Sequence, residues 1–69
     1  MYKIYFKGGW NSRDTLEQAE SCAKATVLTM FERGTVWYEC FAVIVNTMSG
    51  YGLFCRLNER GKCSFVALD

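Results

Sequence analysis

The sequence predicts an α+β fold: a single helix packed on one face of a four-stranded, mostly antiparallel sheet, in the order β-α-β-β-β. Three observations predict it. "YKIYFK" near the start alternates its side chains with the two-residue period of a strand that has one buried and one wet face. The segment from Leu16 to Phe31 repeats apolar or small residues at spacings of three and four, the period of an amphipathic helix. The remainder is rich in β-branched and aromatic residues and is broken by short turn-forming stretches.

In the first strand Tyr2, Ile4 and Phe6 lie on one face and Lys3, Tyr5 and Lys7 on the other, and Gly8-Gly9 ends it. A polar loop containing Trp10 and Arg13 leads to the helix. "TLEQ" places Gln18 three residues after Thr15, a capping-box spacing that satisfies otherwise unpaired N–H groups, with Asp14 and Ser12 as alternative caps. Ala19, Ala23, Val27, Met30 and Phe31 continue the apolar side from Leu16, while Glu17, Ser21, Lys24 and Glu32 lie on or near the other side. The small residues come first, so the N-terminal half of the helix is expected to approach the sheet closely. Gly34, after Arg33, supplies the left-handed residue that ends many helices.

"TVWYECFAVIVNT" is the longest apolar run and predicts a long second strand. Val36, Tyr38, Cys40, Ala42 and Ile44 share one face; Trp37, Phe41, Val43 and Val45 share the other, interrupted by Glu39. Glu39 is expected to pair with Arg56 across the sheet or to guard an edge against aggregation. "MSGYG" turns the chain, "YGLFCRL" is the third strand, "NERGK" a hairpin turn and "KCSFVALD" the fourth strand. The expected inward set is Ile4, Phe6, Leu53, Cys55, Leu57, Phe65 and one face of the second strand. No linker, repeat or low-complexity tract divides the chain, and residues 1–69 are read as one domain.

Composition narrows the function. A chain of 69 residues has one small core and little material for a deep cleft between lobes, which shifts weight from enzymes to binding proteins. With no histidine, the commonest base near neutral pH is missing and hydrolysis by a Ser-His or Cys-His pair is excluded. Glu17, Glu20, Glu32, Glu39 and Glu59 fall on a helix, a strand and a turn, and read as solvated charges better than as a paired-carboxylate site. "KGGWNSR" resembles an anion-binding glycine turn only weakly, because the remaining residues of a phosphate loop or dinucleotide fingerprint are missing. The expectation is a chain without catalytic residues or cofactors.

Cys22, Cys40, Cys55 and Cys63 are too widely and irregularly spaced for the paired ligands of a zinc site, and no metal is expected. The N-terminus has no secretory pattern and no stretch is long and apolar enough to span a membrane, so the expected location is cytoplasmic and the thiols are expected to be reduced. The net charge of +1 matches neither an acidic nucleic-acid mimic nor a polybasic nucleic-acid binder.

One helix covers one sheet face. The opposite face, carrying Tyr5, Phe54, Val66 and half of the second strand, is then an apolar patch larger than a small monomer usually leaves in water. The expected function is therefore stoichiometric binding to another protein, such as a host enzyme or complex. Small proteins without a catalytic set are frequent in phages and mobile elements, where they inhibit host machinery, and this base rate, rather than any residue, makes such an inhibitor one form of the expected binding module. Tyr5, Trp10, Arg13, Trp37, Phe54 and Arg56 are the candidate partner contacts, chosen because exposed aromatics and arginines dominate binding energy at interfaces. Trp10 has a second reading as a lid on the core, packed against Met30 or Phe31, which is the commoner fate of a large aromatic. Two alternatives stand beside the protein partner: a homodimer through the same face, and a sheet that stacks single-stranded nucleic acid on Tyr5 and Phe54 with Lys3, Lys7 and Arg56 nearby.

Overall fold

The computed structural model describes residues 1–68. It contains strands β1 (Tyr2–Phe6) and β2 (Gly9–Arg13), helix α1 (Leu16–Glu32), a 3-10 turn (Trp37–Glu39), and strands β3 (Phe41–Asn46), β4 (Gly52–Leu57) and β5 (Cys63–Leu68). The five strands form one antiparallel sheet in the order β2-β1-β3-β4-β5. Helix α1 lies on one face, chiefly over β1, β3 and β4. The α+β class, the single covering helix and the antiparallel sheet are as the sequence predicts, and the element order is β-β-α-β-β-β.

The additional strand is β2, at the position expected to be a polar loop. Phe6 faces Gly9 across a two-residue turn, in which Gly8 takes a φ of 108° that a side chain would oppose. The chain thereby folds back on β1 as a hairpin. Gly9, Asn11 and Ser12 have poor strand propensity by themselves, and pairing along β1 supplies the order that their composition does not. The same hairpin replaces the suggested anion-binding loop, since Gly9–Arg13 is strand and not a cradle before a helix.

Thr15 caps α1, its hydroxyl oxygen accepting from the Gln18 N–H at 3.1 Å. At the other end, the Thr35 N–H donates to the Met30 carbonyl and the Gly34 N–H to the Phe31 carbonyl, with Gly34 at φ 96°. These two bonds are the Schellman arrangement, and they end the helix where the glycine predicts.

The predicted long second strand is split. Its first half forms the 3-10 turn, with Glu39 N–H bonded to the Val36 carbonyl and Cys40 N–H to that of Trp37, and only Phe41–Asn46 joins the sheet. Composition could not separate these halves, because aromatic and β-branched residues fill both. Glu39 therefore lies outside the sheet, and the cross-strand neighbours of Arg56 are Phe41 and Ser64 instead.

The core lies between α1 and the sheet. Ala19, Ala23 and Val27 descend on Ile4, Ala42, Ile44 and Cys55, all fully buried, with Cys40 and Leu57 closing the end. Alanines at the contact let the helix backbone come close, as the size gradient along the helix implies. Of the predicted inward residues, Ile4, Cys55 and Leu57 are fully enclosed, while Phe6, Leu53 and Phe65 pack around the margin.

Gly61 joins the β4–β5 turn to the helix end. It has a φ of 78°, and a Cβ built there would stand 2.8 Å from the Phe31 ring. Gly50 has the same φ, but a Cβ there meets open space. Gly50→Ala is expected to cost about 1–2 kcal/mol for the left-handed backbone alone. Gly61→Ala should cost more, because Phe31 must also move. Urea midpoints of the two variants check this; equal losses would mean that Phe31 yields freely.

Candidate partner-binding face

Strand register assigns every side chain to a face, because successive residues of a strand point to opposite sides. Ile4, Ala42, Ile44 and Cys55 face the helix, so residues of the other parity line the face that α1 leaves open. Across β2, β1, β3 and β4 the register aligns Trp10, Tyr5, Val43 and Phe54 in one row, which Val66 of β5 continues. A second row places Arg56 between Phe41 and Ser64, and a third places Val45 between Lys3 and Gly52, with Leu68 beyond. Tyr5, Trp10, Phe41, Val66 and Leu68 are each exposed by 42–55%.

Two contacts organise this surface. The Lys3 ammonium sits 4.7 Å from the centre of the Trp10 ring, a cation–π geometry that places both side chains along the sheet surface. The Phe41 and Phe54 rings lie 5.5 Å apart at an angle of 30°, a diagonal aromatic pair across β3 and β4. The outward strand positions hold two cations, Lys3 and Arg56, and no acid. The face is thus apolar at its centre with positive charge at opposite ends.

Four of the six sequence candidates meet here: Tyr5, Trp10, Phe54 and Arg56. The other two lie elsewhere. Arg13 has the opposite parity at the end of β2, on the helix side, where its Nη1 donates to the Ser12 carbonyl at 2.6 Å. It borders an open depression of about 690 Å³ along the start of α1, together with Glu17, Gln18 and Cys22. Trp37 stands on the 3-10 turn, edge-on to Tyr38 at 5.5 Å between ring centres. The reading of Trp10 as a lid against Met30 or Phe31 is overturned, because the sheet itself separates Trp10 from the helix. Lys3 as the partner of Trp10 was hidden in the sequence by the loop reading of β2. The signal was present: a two-residue turn at Lys7-Gly8 places Trp10 opposite Tyr5.

The thiols belong to the helix side. Burial pushes the Cys40 thiol above its ordinary pKa, with the neighbouring Glu39 charge adding to the effect. Burial also raises that of Cys55, followed by its hydrogen bond with Cys63. Both stay protonated near neutral pH and behave as small apolar groups. Among the described residues no cluster of three or more acids and cysteines is placed to hold a metal ion, and no helix is long and apolar enough to cross a membrane. The chain matches no family model, and no curated protein or solved structure matches it significantly.

Proposed function

We propose that the chain is a non-enzymatic binding module that docks its open sheet face onto another protein and acts by occupying that protein's surface. The observation that supports this most directly is the continuous outward row of Trp10, Tyr5, Val43, Phe54 and Val66, an apolar strip spanning all five strands. Apolar area of this kind gains free energy when it leaves water, at about 25 cal/mol per Å². Trp10, Tyr5 and Phe54 with Arg56 beside them are residue types that interfaces enrich, and Lys3 lies at the border, where a polar rim tolerates charge. Stoichiometric inhibition of a larger complex in a cytoplasmic setting is the form of this reading that needs no catalytic group.

A photo-reactive residue placed at Val66 tests the proposal in cells that produce the protein. The expected result is a discrete cross-linked product at Val66 and none when the probe replaces Ser21, which is exposed on the helix. Products of equal yield from both positions would sink it. A product whose mass is twice that of the chain would make the partner a second copy, an outcome that light scattering of the purified protein checks independently.

Nucleic acid is the second reading, favoured by the placement of Lys3, Tyr5, Phe54 and Arg56 on one sheet face. Against it stand the aliphatic Val43, Val45, Val66 and Leu68 on the same face and the net charge of +1. Binding to single-stranded RNA or DNA that weakens steeply with salt would favour this reading over a protein partner.

A further inference from the structure

Two thiols meet on the helix side of the sheet, at the junction between β4 and β5. Cys55 is fully buried near the middle of β4, and Cys63 opens β5 in a partly exposed position. Their sulfur atoms are 3.3 Å apart. Register explains the approach: Cys55 faces Phe65 and Cys63 faces Leu57, so the cysteines are diagonal neighbours on one face. The hairpin closes with the Asn58 N–H donating to the Lys62 carbonyl at 3.0 Å. Because hydrogen-bonded and non-hydrogen-bonded pairs alternate along an antiparallel ladder, Leu57–Cys63 and Cys55–Phe65 are both non-hydrogen-bonded pairs, the kind in which side chains stand closest.

We infer that Cys55 and Cys63 form an oxidation site, a dithiol that hydrogen peroxide closes to a disulfide between β4 and β5. The more exposed Cys63 reacts first: its thiolate sulfur attacks one peroxide oxygen, the O–O bond breaks, and hydroxide leaves and takes up a proton as water. Cys63 is then a sulfenic acid. The Cys55 sulfur attacks the Cys63 sulfur, its thiol proton passes to the departing hydroxyl group, the S–O bond breaks, and a second water leaves. In sum, two thiols and one hydrogen peroxide give one disulfide and two waters. The thiols are oxidised by two electrons and the peroxide is reduced by two.

The geometry favours this pair over the other cysteines. Closing the bond shortens the 3.3 Å separation to about 2.05 Å. The required shift falls on β5, an edge strand that pairs with β4 alone and is barely touched by the helix. Cys40 directs its thiol to the Thr35 and Val36 carbonyls, and Cys22 sits against Asn11 of β2, at the opposite edge of the sheet. The cross-link would fasten the outer strand of the open face, where Val66 and Leu68 project.

Mass spectrometry after exposure of the reduced protein to hydrogen peroxide tests the site. The expected product is a monomer lighter by two hydrogens in which two of the four thiols resist alkylation. Trypsin should release residues 34–56 joined to residues 63–69, with fragment ions placing the link at Cys55 and not at Cys40. In Cys55→Ser, Cys63 should stop at the sulfenic acid, which dimedone traps. In Cys63→Ser, at the partly exposed position, the joined peptides should vanish and all three remaining thiols should alkylate. A Cys63 oxidised beyond the sulfenic acid in the intact chain, a link to Cys22 or Cys40, or a dimer joined through Cys63 would each overturn the inference.

Discussion

Ile44→Ala is expected to leave much of the chain unfolded at 25 °C. Ile44 is fully buried at the centre of β3, the middle strand, with Ile4 opposite it on β1 and Leu53 on β4. Truncating such a residue removes buried methyl groups and leaves a cavity, at a cost of about 2–5 kcal/mol. A core in a chain this short supplies only about 3–5 kcal/mol in total. The cost is thus comparable to the whole margin, and far-ultraviolet circular dichroism with urea titration should report a population that is mostly or wholly unfolded. The control is its neighbour. Val45 occupies the same strand but projects from the open face, and Val45→Ala should cost about 1 kcal/mol or less. If the two substitutions cost the same, the open face must be covered in solution. In that case the unfolding midpoint of the unsubstituted chain should rise with protein concentration, as it does for a dimer.

That contrast was largely legible in the sequence, because it rests on periodicity. The strand parity of Ile4, Cys55 and Leu57 and the spacing of Ala19, Ala23 and Val27 identify the core without any knowledge of strand order. The Thr15 cap and the Gly34 terminus are equally legible, since each is a local hydrogen-bonding requirement met by residues three to five positions apart. Elements that depend on partners distant in sequence were harder to see. Gly9–Arg13 becomes a strand only because β1 offers it an edge, and Trp37–Glu39 leaves the sheet although its composition suits a strand as well as Phe41–Asn46 does. The candidate face inherited both difficulties. Period alone places Tyr5, Phe54 and Arg56 together, whereas the position of Trp10 requires β2, and composition joins Trp37 to a strand that begins four residues after it.

Phe54→Glu is expected to weaken docking roughly 30-fold while preserving the fold. Phe54 lies between Val43 and Val66 in the central row of the open face and pairs with the Phe41 ring, so a carboxylate there breaks the apolar strip at its middle. The fold should survive, because the side chain is only partly buried on the face that α1 leaves open and Arg56, two residues along the same face, offers the carboxylate a positive neighbour. The loss of strand propensity and of the aromatic pair should cost about 1 kcal/mol, measurable as a small shift of the urea midpoint. Binding responds differently. Desolvating a charge against an apolar partner surface, together with removal of a central aromatic, should weaken association by about 2 kcal/mol or more, roughly 30-fold. Calorimetry with the protein identified by cross-linking at Val66 would read this value, and fluorescence of a hydrophobic dye on the free chain should fall in parallel. Trp37→Ala provides the opposing case. Trp37 is a large, exposed aromatic of the type that anchors interfaces, but it sits on the 3-10 turn outside the rows of the sheet. If the open face is the docking surface, Trp37→Ala should change affinity by less than about 3-fold, under 1 kcal/mol. Should Trp37→Ala weaken binding as strongly as Phe54→Glu, the contact must extend around the end of the sheet. Should Trp37→Ala alone weaken it, the apolar strip is not the docking surface.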